Sequence, residues 1–164
     1  MRVLLVGASG AVGRRLVPQL IEARHEVIGT HNRPARAERL RALGAEPVRL
    51  DLLSAAAVRK AVLEAEPEAI VHQATALADV KFGRNMGRRA GRDERMRTNG
   101  TDALLSAARE AGVHRFIAQS AAAFSRYARE GGPVKSEDDP RSASTACRAG
   151  SRRGGASGAC ACDA

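Results

Sequence analysis

The sequence predicts an α/β fold, in which a doubly wound parallel sheet carries five strands in the order 3-2-1-4-5. Short apolar segments typical of buried strands alternate with helical segments over residues 2–119, and the connections between them are short. The first apolar segment also runs directly into a glycine-rich turn and a helix. Because crossovers between parallel strands are right-handed, 3-2-1-4-5 is the natural order for this pattern.

The first strand is predicted over residues 2–6, where consecutive apolar residues suit a strand buried on both faces. A Gly-x-x-Gly-x-x-Gly turn follows, and then an amphipathic helix over residues 14–24 that contains Pro18. Glycines allow the tight turn, the approach of backbone N–H groups to a diphosphate, and close packing of the helix on the strand. The alternative is a glycine-rich turn without a ligand. We predict a dinucleotide site formed by Gly7, Ser9, Gly10, Ala11, Val12 and Gly13.

The second strand, over residues 26–30, ends at a segment that contains two arginines and no carboxylate, Thr30 to Arg36. In a dinucleotide site, an acidic residue here binds the ribose 2′-hydroxyl of NAD, whereas a basic residue accommodates the 2′-phosphate of NADP. We therefore favour NADP over NAD, with contacts from Asn32, Arg33 and Arg36. The alternative is that both arginines are the solvated start of the next helix.

The third strand, over residues 47–50, leads to Asp51 and Leu52. We include both in the predicted cofactor site, because the Asp51 carboxylate at a strand end can accept a hydrogen bond from the adenine amino group. It can equally cap the turn into the next helix. Ser54 is the predicted N-cap of that helix, over residues 55–65.

The fourth strand, over residues 69–72, is expected to end beside the glycine turn. A loop over residues 79–92, one long helix over residues 92–111 and a fifth strand over residues 114–119 follow. The crevice at the carboxyl ends of strands 1 and 4 therefore gains three more predicted cofactor contacts, Gln73, Ala74 and Thr75.

Charge and composition narrow the possible partners. The net charge is +9, but it is concentrated in residues 84–97 and 141–164, and the chain contains one Tyr, three Phe and no Trp that could stack on bases. Nucleic-acid binding is therefore disfavoured, and the arginines are better explained as a solvated face.

No apolar run approaches the ~18 residues of a membrane span. The first strand begins at residue 2, so we expect no signal peptide and a cytoplasmic location. The oligomeric state is left open.

The last part of the chain has a different composition. Residues 141–164 contain no Val, Ile, Leu, Met, Phe, Trp or Tyr, and they include all three cysteines without a neighbouring histidine. We predict a disordered tail after a domain over residues 1–140, with neither a disulfide framework nor a metal site. Three explanations compete: a flexible terminus, a truncated gene, or an out-of-frame translation. The last two together are favoured.

Four segments resemble the NAD-dependent epimerase/dehydratase family, the extended and atypical short-chain dehydrogenases. They are the glycine turn, Val71-His72-Gln73-Ala74, the helix Gly100 to Ala108, and the strand Gly112 to Ile117, in the family's order and spacing. The resemblance covers residues 1 to about 140. It implies a Rossmann-like fold, a nicotinamide cofactor, and a small-molecule substrate for any full-length protein.

The family's catalytic pair does not carry over. A Tyr-x-x-x-Lys pair serves proton transfer in the family, but the single tyrosine here, Tyr127, is followed four residues later by Gly131. Ser120 is the candidate catalytic hydroxyl, although the family's hydroxyl more often falls one residue later, where this chain has Ala121. Arg97 replaces an asparagine of the family.

We therefore predict an NAD(P)-binding domain of an epimerase/dehydratase-like oxidoreductase that lacks catalytic competence as the chain stands. The alternative is a nucleotide-sensing module that acts through a protein partner.

Overall fold

The computed structural model describes residues 1–76 and 86–119, and it contains a five-stranded sheet in the order β3-β2-β1-β4-β5. Every neighbouring pair of strands is parallel, so the predicted class and strand order are confirmed. The observed bounds of the five strands lie within one residue of the predicted ones. The strands are β1 (Arg2–Val6), β2 (Glu26–His31), β3 (Glu46–Arg49), β4 (Ala69–His72) and β5 (Arg115–Ala118).

Helices cover both faces of the sheet. They are α1 (Gly13–Glu22), α2 (Ala37–Ala42), α3 (Ala55–Ala65), α4 (Met86–Arg97) and α5 (Asn99–Glu110), with a short 3-10 helix at Pro34–Arg36. Alternate residues of β1 separate two apolar clusters. Leu4 packs with α3 and α5, whereas Leu5 packs with α1 and α2. This two-sided burial explains the continuous apolar run of the first strand.

The predicted cap of α3 is present, and α2 ends close to a glycine. The Ser54 hydroxyl caps α3 by accepting a hydrogen bond from the Ala57 N–H at 3.3 Å. Gly44 follows α2 with a φ of +86°, a conformation that side chains rarely adopt. Pro18 lies inside α1 as expected.

The prediction of a loop is wrong for residues 86–92, and so is the prediction of a single helix over residues 92–111; the rest of the predicted loop, residues 79–85, lies outside the described residues. Residues 86–97 are helical, and the chain turns at Thr98 before α5 begins. The Thr98 hydroxyl donates to the Glu94 carbonyl at 2.9 Å, and the Thr101 hydroxyl donates to the Arg97 carbonyl at 2.7 Å. Such bonds from threonine to the preceding turn bend helices, and two of them flank the break. Gly100 then allows close packing, because a Cβ there would lie 2.8 Å from Leu52 Cγ.

Residues Met1–Gln119 form one compact unit. Ser120, Tyr127 and the predicted tail over residues 141–164 lie outside the described residues, so the boundary at residue 140 stays a prediction. Within the described residues, no helix is both long and apolar enough to cross a bilayer.

Candidate functional site

A crevice of about 300 Å³ lies at the carboxyl ends of β1, β2 and β4. This is the edge of the sheet where the chain moves to opposite sides of β1, because β2 and β4 flank that strand. In doubly wound folds, such a switch point opens a crevice for ligands. Here its walls come from the glycine turn, the end of β2, the segment after β3, the exit of β4, and α4.

The three glycines of the turn differ in how closely neighbouring backbone atoms enclose them. Gly7 has a φ of +90°, and a Cβ there would lie 2.7 Å from the backbone of Ala74. A Cβ at Gly13 would lie 2.4 Å from the Gly7 carbonyl oxygen. Both glycines therefore let α1 and the β4 exit pack tightly around the turn. Gly10 is less enclosed, since a Cβ there would lie 3.1 Å from the Gly7 oxygen.

Helix α1 presents its N-terminus to this turn without a side-chain cap. Val12 occupies the cap position, and the first turn contains no acidic residue. Ser9, Gly10, Ala11 and Val12 line the crevice. A helix N-terminus carries unpaired N–H groups and a positive partial charge, so this wall suits an anion.

The end of β2 is tied to the same turn. The Thr30 hydroxyl accepts a hydrogen bond from the Gly7 N–H at 2.9 Å. His31 is buried, and its Nδ1 has no hydrogen-bond partner within the described residues. Asn32 and Arg36 line the crevice next to them.

Asp51 has the capping function considered for it and also lies at the crevice. Its carboxylate accepts a hydrogen bond from the Leu53 N–H at 3.1 Å, which caps the turn before α3. It also lines the crevice, together with Leu52 and the partly exposed Leu53. The contact with adenine stays a prediction.

The exit of β4 is held from two sides. The Gln73 N–H donates to the Val6 carbonyl at 2.8 Å, which continues the pairing with β1. On the other side, the Ala76 N–H donates to the Asp93 carboxylate of α4 at 2.7 Å. The second Asp93 oxygen pairs with Arg97 Nε at 2.8 Å. Within the described residues, Gln73 Oε1 is buried without a hydrogen-bond partner.

His72, the buried last residue of β4, is a histidine with a shifted pKa. Burial lowers the pKa of this imidazole, and the positive charge of Arg97 lowers it further. A hydrogen bond with the Met96 backbone acts in the opposite direction but does not reverse the shift. The ring is therefore neutral near pH 7, with Nδ1 3.4 Å from the Ala74 N–H that donates to it.

Comparison with known proteins shows the family of the chain. The family model described as the NAD-dependent epimerase/dehydratase family matches residues 3–148. The chain belongs to this family.

This epimerase/dehydratase-family chain is 39% identical over 143 residues to a Streptomyces protein named 3-diazoavenalumate denitrifying reductase. The match covers 85% of the chain but 43% of the relative, so the chain spans less than half of the relative's length.

Solved structures show the same partial coverage. The UDP-Glc/GlcNAc 4-epimerase of Campylobacter jejuni superposes with a TM-score of 0.70 at 25% identity, covering 85% of the chain and 42% of the epimerase. The UDP-glucose 4-epimerase of Thermus thermophilus, solved in complex with NAD, superposes with a TM-score of 0.66 at 25% identity. That match covers 88% of the chain and 45% of the epimerase.

The crevice of this family member brings most of the predicted site residues together. Gly13 lies beneath the turn, and Arg33 is exposed outside the lining. The others line the crevice: Gly7, Ser9, Gly10, Ala11, Val12, Asn32, Arg36, Asp51, Leu52, Gln73, Ala74 and Thr75. Their contacts with a cofactor stay predictions.

Sequence reasoning missed a second group of lining residues, which includes Thr30, His31, Arg92, Met96, Arg97 and Gln119. The first two could have been found, because they end a strand that points at the crevice. The α4 residues gave no such signal, since their segment was interpreted as a loop and a solvated basic face. Ser120 directly follows the lining residue Gln119 but lies outside the described residues.

Proposed function

We propose that the crevice binds a nicotinamide dinucleotide and that the chain supplies the cofactor-binding part of an epimerase/dehydratase-like oxidoreductase. The glycine turn carries this proposal. A Cβ at Gly7 would lie 2.7 Å from the Ala74 backbone and one at Gly13 would lie 2.4 Å from the Gly7 carbonyl oxygen, so only glycine fits at either position. The N-terminus of α1, which has no side-chain cap, follows directly. A diphosphate placed there receives backbone N–H groups and the favourable end of the helix dipole.

The polar atoms of the crevice also suit such a ligand. Within the described residues, His31 Nδ1 and Gln73 Oε1 are buried without hydrogen-bond partners, on opposite sides of the glycine turn. An unsatisfied buried polar atom costs about 1–3 kcal/mol, which a ligand with donors and acceptors can recover. The volume of about 300 Å³ falls within the usual range for ligand pockets.

We propose NADP rather than NAD as the preferred cofactor. Arg36 lines the crevice beside the end of β2, together with the uncharged Asn32. Neither residue is an acid that would repel a 2′-phosphate, and Arg36 offers the planar donors that bind phosphate well. The Thermus thermophilus epimerase was solved with NAD, so the proposed preference for NADP rests on the residues of the present chain.

A bound nicotinamide ring supplies a site that accepts or donates hydride. The relative at 39% identity is named a reductase, which favours reduction of a small molecule as the chemistry of the whole protein. The sequence contains no Tyr-x-x-x-Lys, and its candidate hydroxyl is Ser120, which follows the lining residue Gln119 in the chain. We therefore propose that the chain binds the cofactor without completing a reaction by itself. We also propose that it does so in the cytoplasm.

A nucleotide-sensing module is the second candidate. It is favoured by Ile117, which is 57% exposed on the edge strand β5. In that case, NADPH would change the affinity for a protein partner at β5. Ile117→Lys would then remove the association, measured by sedimentation, and leave NADPH binding unchanged.

Thermal unfolding tests the proposed function. A ligand that binds only the folded state raises the melting temperature, and at 100 times its Kd it contributes about 2.7 kcal/mol. We expect NADPH to raise the melting temperature of the purified chain, and NADH to raise it less at equal concentration. No shift with either nucleotide would contradict both candidates.

A further inference from the structure

One wall of the crevice carries positive charge that the proposed cofactor contacts leave unused. Arg92 and Arg97 of α4 both line it. At the other end of the crevice, Arg36 is accompanied by the carboxylate of Asp51. Among the described lining residues, the α4 wall has no carboxylate of its own, since Asp93 is buried behind it.

Arg97 is held in place rather than free in solvent. Its Nε pairs with Asp93 at 2.8 Å, and the other oxygen of that carboxylate accepts the Ala76 N–H at 2.7 Å. Asp93 is 7% exposed, whereas the Arg97 side chain is 27% exposed. The pair therefore fixes the guanidinium plane through Nε, and the two Nη groups carry the remaining donors. A planar fork of this kind matches a carboxylate or a phosphate.

The position of Arg97 indicates which half of the crevice its guanidinium group serves. Asp93 joins it to Ala76, in the segment that follows β4, so it lies on the side of β1 opposite to β2. The proposed adenosine contacts are at the ends of β2 and β3. The α4 wall therefore belongs to the other half of the crevice, where Met96 adds apolar surface and Gln119 follows β5.

We propose that Arg97, assisted by Arg92, binds an anionic group of the substrate, a carboxylate or a phosphate, next to the nicotinamide half of the cofactor. This rests on the proposed function. The site uses a partly buried, oriented guanidinium, which binds anions more strongly than a mobile surface arginine does. His72 next to it is neutral, so the positive charge of this wall comes from the two arginines.

The test measures ligand binding by isothermal titration to the full chain. NADP⁺ is titrated first. Benzoate and phenyl phosphate are then titrated into the chain saturated with NADP⁺, with benzamide as the uncharged match. The main variant is Asp93→Asn combined with Arg97→Gln, because Asn still accepts the Ala76 N–H and no buried charge loses its partner. Arg92→Gln is the second variant, and Arg95→Gln, at an exposed position of the same helix, is the control.

We expect the double variant to bind benzoate and phenyl phosphate about tenfold more weakly, and Arg92→Gln to weaken them less. Benzamide binding, NADP⁺ affinity and the Arg95→Gln control should change less than about twofold. An equal loss of NADP⁺ affinity would overturn the inference in favour of a contact with the cofactor diphosphate. Unchanged anion binding by the double variant would also overturn it, and so would the absence of anion binding by the wild-type chain saturated with NADP⁺. If NADP⁺ itself does not bind, the proposed function fails as well, and the two failures are thereby distinguished.

Discussion

At the residue scale, the glycines of the turn differ in what they tolerate. Gly13 is enclosed by backbone, with the Gly7 carbonyl oxygen 2.4 Å and Ala8 Cα 2.6 Å from the position of a Cβ. These atoms belong to the turn itself and cannot move aside as a flexible side chain can. Gly91 is the opposite case, because a Cβ there meets nothing within 4 Å.

Gly13→Ala should therefore destabilise the fold by about 2–3 kcal/mol, the cost of overpacking against backbone. Gly91→Ala, in the exposed helix α4, should instead stabilise it by about 0.5–1 kcal/mol, because alanine has the higher helix propensity. Urea unfolding of both variants measures the two effects. Equal stability of the two variants would show that α1 does not pack against the turn as described.

Arg36 tests the preference for a 2′-phosphate. Arg36→Gln should weaken NADPH binding about tenfold, because one charge-assisted contact is lost, and should change NADH binding less than about twofold. Arg39→Gln is the matched control, since Arg39 is exposed in the following helix and outside the crevice lining. Titration of both nucleotides into each variant measures the change. An equal effect on NADPH and NADH would remove the argument for NADP.

At the element scale, polar contacts join β4 to α4. The Ala76 N–H binds Asp93, and the buried His72 ring contacts the backbone of Met96. These contacts position the segment from Gln73 to Ala76, which carries three of the predicted cofactor contacts. A buried neutral histidine at this junction makes the stability of the fold dependent on pH.

The sign follows from the direction of the pKa shift. The folded-state pKa of His72 lies below the ordinary value of 6.5, so as the pH falls through 6.5 the unfolded chain binds a proton before the folded chain does. The free energy of unfolding should therefore decrease on acidification, by at most about 1.4 kcal/mol per pH unit. Well above pH 6.5 the ring is neutral in both states and contributes no pH dependence.

Denaturant unfolding between about pH 7.5 and about pH 5.5 measures this dependence. His72→Gln removes the titrating group and should give a shallower decrease than the wild type. The difference between the two curves isolates His72 from the other histidines. Parallel curves would contradict the account of a buried neutral ring.

At the scale of the whole molecule, the sheet was predictable because its signals are local and repeated. The apolar run of β1 is buried on both faces, and the Ser54 cap and the Gly44 turn mark the ends of α3 and α2. Right-handed crossovers then leave few possible strand orders. The glycine turn and the β4 exit converge for the same reason, since both follow strands that end at one edge of the sheet.

The α4 wall could not be predicted, because its burial is polar. The helix contains glycines and arginines without an apolar stripe, and Asp93 joins it to the β4 exit through the hydrogen bond from the Ala76 N–H. A carboxylate that bonds a backbone N–H seventeen residues earlier leaves no periodic pattern in the sequence. The position of His31 at a strand end was predictable, but the lack of a hydrogen-bond partner for its Nδ1 within the described residues was not, since it depends on the packing around the end of β2.

The central claim is that a nicotinamide dinucleotide binds between the glycine turn and the β4 exit. Hydrogen–deuterium exchange of the purified chain with and without NADPH tests this claim most directly. The account predicts slower exchange at residues 7–13 and 73–76 when NADPH is present, with smaller changes on the outer helix faces. Unchanged exchange in these two segments, or protection confined to other parts of the chain, would contradict it.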